Sequence, residues 1–264
     1  MSNGAREQMR HLPKKRFGQN FLHDASVLQQ IITAIQPASR DLMVEIGPGQ
    51  GAMTSLLLAH LEQLHVVELD RDLIAILEKT FSAQPLVIHA GDALQFDFAQ
   101  LRIDERKLRI VGNLPYNIST PLLFHLAQYA PLVQDQHFML QKEVVERMVA
   151  APGGRDYGRL SVMLQWRYQM TQLFTVPPQA FDPPPKVESA IVRMLPIRNP
   201  MACGQQQLEQ VVTTAFSQRR KVIRNSLAGL FSEVQLIDAG IDPQARPETV
   251  HLEAFVRLAR KLKT

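Results

Sequence analysis

The chain has 264 residues, 45% hydrophobic and 20% charged, with 29 Lys and Arg against 25 Asp and Glu for a formal charge of +4. That length suits one large globular domain or a large and a small one. No apolar run approaches the roughly 20 residues of a membrane span, no secretion signal opens the chain, and the single cysteine, Cys203, rules out an internal disulfide. None of the eight histidines has metal-ligand spacing, so the expectation is a soluble, cytoplasmic protein with no metal site. The charge is unevenly spread. Residues 1–23 hold five Lys and Arg against one acid, residues 24–184 hold 12 against 17, and residues 185–264 hold 12 against seven. Basic ends around an acidic middle point to a polyanion held by the ends.

In chain order, the basic stretch HLPKKRF runs into GQNFL and reads as a segment that orders over a ligand. DLMVEIG is the first buried strand, followed directly by Gly47, Gly49 and Gly51 and then a helical stripe at Leu56, Leu57, Ala59 and His60. Glycine there lets a ligand approach the backbone at a helix N-terminus. With Ala52 the spacing also satisfies a dinucleotide fingerprint, and a tight turn without ligand reads the same way. LHVVELD is the second strand. Its Glu68 follows Gly47 by 21 positions, where an acid can accept from both ribose hydroxyls of a nucleoside, while Asp70 is placed to cap the helix that starts near Arg71. PLVIHAGD, the third strand, delivers Asp92, a carboxylate able to receive an adenine amino group.

LRIVGNLP, the fourth strand, ends in Asn113-Leu114-Pro115-Tyr116. Hydride transfer has no need of that tetrad; methyl transfer to an exocyclic amine does. The amine's lone pair is delocalised into the ring. The Asn113 amide oxygen and a backbone carbonyl near Leu114, accepting its two N–H bonds, draw the nitrogen towards sp³. Pro115 fixes the loop and Tyr116 offers a stacking face. QHFMLQ is the fifth strand. After a helix around YGRLSVMLQWRYQ, the runs MTQLFTV and SAIVRML follow each other without a helix and are expected to pair antiparallel at one edge. The prolines between them stiffen the connection, so that Phe181 meets a base at small entropic cost, or else packs in the core. The whole reads as an α/β fold with a doubly wound, seven-stranded Rossmann-like sheet.

After PIRNPMACG the pattern turns helical. Leu208, Val211, Val212, Ala215, Phe216 and Ile223 mark one helix and FVRLARKL ends another, which divides the chain into residues 1–197, with a basic segment 1–23, and a small helical domain, 198–264. QRRKVIRNSL is expected to set Arg219, Arg220, Lys221 and Arg224 on a helix, with Ile223 and Leu227 turned inward. That face is either solvated or a contact for RNA phosphates.

Taken together, KKRFGQNFL, VEIGPGQG, VVELD, GDAL, VGNLPYNIST, FDPPPKVESAIV and FSQRRKVIRNSL resemble the ribosomal RNA adenine dimethyltransferases. The motifs run in family order from residue 14 to about 227. The resemblance implies S-adenosylmethionine held by Asn20, Leu22, Gly47, Glu68, Asp92 and Asn113. It implies a target-base site of Asn113, Leu114, Pro115, Tyr116 and Phe181, and N6,N6-dimethylation of two adjacent adenosines near the 3′ end of small-subunit ribosomal RNA by a monomer. Three alternatives remain at this point: a resistance-type dimethylase of large-subunit RNA, an NAD-dependent oxidoreductase resting on Gly47 to Ala52, and a non-catalytic assembly factor.

Overall fold

The computed structural model describes residues 19–218 and 221–262. The chain enters with β1 (Phe21–Leu22), α1 (Ala25–Ile35), β2 (Leu42–Ile46), α2 (Ala52–Leu58), β3 (Leu64–Glu68), α3 (Arg71–Thr80) and β4 (Leu86–Ala90). It continues through β5 (Leu108–Asn113), α4 (Ser119–Ala127), β6 (Val133–Gln141), α5 (Lys142–Val149), α6 (Arg159–Gln165), β7 (Tyr168–Val176), β8 (Phe181–Asp182) and β9 (Ser189–Pro196). The last helices are α7 (Gln205–Phe216), α8 (Ile223–Ser226), α9 (Glu233–Asp238) and α10 (Leu252–Ala259).

Among the described residues seven strands form one sheet in the order β4-β3-β2-β5-β6-β9-β7. The first five sequence-predicted strands pair parallel, and β9 runs antiparallel to both β6 and β7, the expected edge pair. Strands of the middle are buried on both faces: Met43 and Val44 are adjacent and both fully covered, one by each helical layer. One layer packs Leu122, Leu126 and Val145 against Ile110 and Phe138; the other packs Val27 and Ile31 of α1 against Met43, Val111 and Met139. Strand order reverses between β2 and β5, and in open sheets of this kind ligands bind in the crevice at the carboxyl ends beside that reversal.

Two features fix the ends of α1. Asp24 caps the helix, its Oδ1 accepting from the backbone N–H of Ser26 and Val27. At the other end Arg109 of β5 donates to the carbonyl of Ile35 at 2.6 Å while paired with Asp41 and Asp135, so the helix C-terminus is anchored to the sheet by a buried cation. The two-residue strand β1 pairs antiparallel with β8, Leu22 opposite Phe181.

The C-terminal helices build a third apolar cluster around Val211, Ile223, Leu236 and Phe255, in which Tyr157, Val162 and Trp166 from the α6 region also take part. The helix expected over QRRKVIRNSL is not continuous. α7 stops at Phe216, the Lys221 N–H turns back to the Gln218 carbonyl, and the N–H groups of Ile223 and Arg224 are taken by the carbonyls of Ala245 and Pro243. Those tertiary bonds replace the i→i−4 bonds a through-going helix would need. Ile223 and Leu227 are nonetheless fully buried, as their spacing predicts.

Candidate active site

One cavity at the carboxyl ends of the parallel strands brings together Asn20, Leu22, Gly47, Glu68, Asp92 and Asn113 with Leu114, Pro115 and Tyr116. Its floor begins at the turn after β2. Gly47, Gly49 and Gly51 all have positive φ, and a Cβ on Gly49 would stand 3.0 Å from the Phe21 ring, so only glycine lets the entering segment lie over this turn.

Glu68, at the end of β3, is 7% exposed. Its Oε1 accepts from the N–H groups of Leu69 and Asp70 at 2.9 and 2.8 Å. Burial pushes its carboxyl above the ordinary value, opposed by these backbone bonds. A carboxylate has about four lone-pair sites, so acceptor capacity for a ligand hydroxyl remains. Asp70 caps α3 through the Asp72 N–H, as expected, and also accepts from the Gln19 amide at 3.1 Å. Asp92 is oriented by the Leu94 N–H, which donates to Oδ1 at 2.9 Å.

Asn113 closes β5 in register with Met139. Its Nδ2 donates to the Asn20 carbonyl at 3.1 Å, which commits the donor end of the amide and leaves Oδ1 as the acceptor. Next to it the Leu114 N–H is taken by the Met139 carbonyl and the Leu114 side chain is buried in the core, so the residue's other backbone group, its carbonyl, sits at the strand end. Pro115 heads a tight turn, its carbonyl accepting from the Ile118 N–H. Tyr116 bonds the Ser189 hydroxyl at 2.7 Å, and burial raises its phenol above the usual range. These groups can orient an amine with two hydrogens against an electrophile.

Phe181 departs from the base-site place that the resemblance implies. It is 2% exposed, packed with Leu22, Val176 and Ile191, and lies outside the cavity that holds the Asn113–Tyr116 tetrad. Its backbone pairs with Leu22 of β1, and it takes the core-packed alternative of its two expected places. Lys221 and Arg224 lie in the helical region; Arg224 pairs with Glu233 at 3.2 Å. Arg219 and Arg220, and the basic stretch before Gln19, lie outside the described residues.

Two lining residues were not singled out by the sequence reading. Glu45 of β2 is 1% exposed, accepts from the Thr54 hydroxyl at 2.7 Å, and is pushed up to about 7, chiefly by burial. His137 of β6 is 4% exposed. Glu45 is the one titratable letter of an otherwise apolar strand, and that mismatch is the signal that could have found it, whereas His137 follows Asp135 and Gln136 in a partly polar strand and has no such signal. Among the described residues no cluster of three or more His, Cys, Asp or Glu could hold a metal ion, and no helix is long and apolar enough to cross a membrane.

A model of the ribosomal RNA adenine dimethylase family matches residues 10–264. The chain is 68% identical over 255 residues to the ribosomal RNA small subunit methyltransferase A of Herminiimonas arsenicoxydans, which covers 96% of this chain and 100% of that protein. Among solved structures it resembles a dimethyladenosine transferase from Plasmodium falciparum, with a TM-score of 0.74, 26% identity, and coverage of 90% of this chain and 95% of that one. It shares its fold with the 23S rRNA methyltransferase ErmE at a TM-score of 0.70 and 24% identity, over 91% and 98% of the two chains.

Proposed function

This chain belongs to the ribosomal RNA adenine dimethylase family and is an S-adenosylmethionine-dependent rRNA adenine dimethyltransferase; we propose that it dimethylates N6 of two adjacent adenosines near the 3′ end of small-subunit rRNA. The family match over nearly the whole chain removes the dinucleotide reading of Gly47 to Ala52. The observation that carries the chemistry is the Asn113 amide, whose nitrogen is held by the Asn20 carbonyl so that its oxygen is presented as an acceptor.

The donor set fits the cofactor: a glycine turn open to a close-lying ligand, a buried carboxylate at the end of β3 for ribose hydroxyls, and Asp92 beyond β4 for an adenine amino group. Asn20, Leu22, Gly47, Glu68, Asp92 and Asn113 hold it. When bound, S-adenosylmethionine supplies a methyl group on a sulfonium, a leaving group that needs no acid to expel it. The residues therefore work by placement. Asn113 Oδ1 and the Leu114 carbonyl accept the two N–H bonds of the target amine and aim its lone pair; Pro115 keeps the carbonyl in place; Tyr116, held by Ser189, provides the face on which an extruded base stacks. A dimethylated amine has no N–H to donate, so product loses both bonds and leaves.

The division of labour follows the charge. Residues 1–197 carry the chemistry, and residues 198–264, with Arg219, Arg220, Lys221 and Arg224, contact RNA phosphates. The protein acts as a cytoplasmic monomer on the small ribosomal subunit or its precursor. Incubating it with labelled S-adenosylmethionine and undermethylated small or large subunits, then digesting the RNA to nucleosides, tests the substrate. Dimethyladenosine from small subunits alone is expected; label in large-subunit RNA overturns the assignment.

A further inference from the structure

The segment that enters the site crosses the carboxyl ends of three neighbouring strands. β3 and β5 flank β2, so their ends stand about 10 Å apart at the ordinary spacing of strands. Three consecutive residues span that distance. Gln19 Nε2 donates to Asp70 Oδ2 at 3.1 Å, just beyond β3. The Phe21 ring lies over Gly49 in the turn after β2, where a Cβ would stand 3.0 Å from it. The Asn20 carbonyl accepts from Asn113 Nδ2 at 3.1 Å, at the end of β5. On its C-terminal side the segment is fastened by pairing, Phe21 opposite Asp182 and Leu22 opposite Phe181, and by the His23 N–H bonded to the Ala180 carbonyl. On its N-terminal side, within the described residues, the fastening is the Gln19 amide, and Asn20 sits between the two.

The Gln19 bond suits the task of holding backbone in place. Asp70 is 3% exposed, and its other oxygen accepts from the Asp72 N–H at 3.1 Å, which fixes the carboxylate to the start of α3. Hydrogen bonds with an ionised partner are roughly twice as strong as neutral ones. The Asn20 oxygen lies one residue along from this anchor, and the soft backbone dihedrals let it turn once the anchor is gone. Asn113 then loses the acceptor that commits its Nδ2, and with it the reason Oδ1 faces the amine. The Asp70 N–H also donates to Glu68 Oε1 at 2.8 Å, so the same tie reaches the carboxylate proposed for the cofactor ribose.

We infer that Gln19 is a positioning residue for this methyl transfer: tied to Asp70, it holds the Asn20 carbonyl where that carbonyl fixes the Asn113 amide. The inference rests on the reading of Asn113 Oδ1 as an acceptor for the target amine. Gln19 acts through Asn20 and Asn113, not on the reacting atoms.

Single-turnover assays on undermethylated small subunits, with S-adenosylmethionine saturating for each variant, test this. Gln19→Leu keeps most of the side chain's bulk and removes its donor; it should transfer methyl about 10- to 100-fold more slowly, as for a reacting group misplaced by about an ångström. In an Asn113→Ala background the same change should add less than about twofold, because its effect passes through the missing amide. Gln19→Glu combined with Asp70→Asn exchanges donor and acceptor, since asparagine keeps an oxygen for the Asp72 N–H and offers its amide to the carboxylate introduced at position 19. The pair should transfer faster than either single variant. A parental rate in Gln19→Leu overturns the inference, even where cofactor affinity falls, which would make Gln19 a cofactor contact. Losses that multiply in the Asn113→Ala background overturn it, as does an exchanged pair no faster than its singles. If Gln19→Leu does not fold, the exchanged pair decides. A near-parental Asn113→Ala, with Gln19 untouched, overturns the reading of Asn113 itself and the inference with it.

Discussion

At the residue scale, the site is built from acceptors whose orientation is set by backbone partners. Glu68 is held by the N–H groups of the turn that follows it, so Glu68→Ala removes the ribose acceptor at a strand end without opening the core. A hydrogen bond to a charged group is worth about 1.5–3 kcal/mol, and calorimetry should show S-adenosylmethionine affinity falling by roughly 10- to 150-fold; unchanged affinity would remove Glu68 from the site. Glu45 gives a pH signature. Its folded pKa is raised from 4.5 to about 7, so between those values the folded state binds the extra proton and stability falls as pH rises. At about 1.4 kcal/mol per unit the loss approaches roughly 3 kcal/mol by pH 8. Glu45→Gln keeps an oxygen for Thr54 and does not titrate, so urea unfolding should find it more stable than the parent at pH 8 and little different near pH 4.5. Identical pH profiles for the two proteins would show that Glu45 stays ionised. The acids at strand ends were legible because a polar letter after an apolar run reads as a ligand group. Glu45 and His137 were not, because a strand interior reads as core until the cavity beneath α1 is seen.

At the element scale, the cavity depends on β5 reaching its end beside β2 without displacement. Gly112 sits one residue before Asn113, and a Cβ there would lie 2.6 Å from the Ile46 carbonyl oxygen and 3.1 Å from the Leu114 side chain. Backbone cannot yield cheaply. Gly112→Ala should cost about 1–3 kcal/mol of stability and, by moving Asn113, should lower methyl transfer more than it lowers cofactor affinity. A variant matching the parent in both thermal midpoint and turnover would show that β5 relaxes freely. All seven strands and the edge pair were legible from apolar runs separated by helical stripes. The break between α7 and α8 was not, because it is made by carbonyls of Pro243 and Ala245, some 20 residues on, and no local pattern announces such a partner. Phe181 was read two ways, as a face for the base or as core, and its proline-rich context could not choose between them, because the residue's partner, Leu22, is distant in the chain.

At the scale of the whole molecule, an acidic middle carries the cavity and basic ends flank it. If Lys221 and Arg224 contact phosphates, changing both to Ala should weaken binding to small-subunit particles and leave S-adenosylmethionine affinity alone. Each lost contact should flatten the plot of log affinity against log salt by about 0.7–0.9. Parallel lines for variant and parent would make these side chains a solvated face, with Arg224 serving only Glu233. The family was legible because its motifs lie in order along most of the chain, but the shared core of Tyr157, Trp166 and the C-terminal helices was hidden by the composition change near residue 197. In the proposed reaction the Asn113 amide oxygen, aimed by the bond from Nδ2 to the Asn20 carbonyl, activates the adenine amine. Comparing Asn113→Ala with the parent in a single-turnover assay on undermethylated small subunits tests it most directly. Dimethyladenosine is expected from the parent and, from a variant that still binds the particles, a transfer rate lower by at least about 100-fold, as for loss of one positioned catalytic hydrogen bond. Near-parental dimethyladenosine from Asn113→Ala would contradict it.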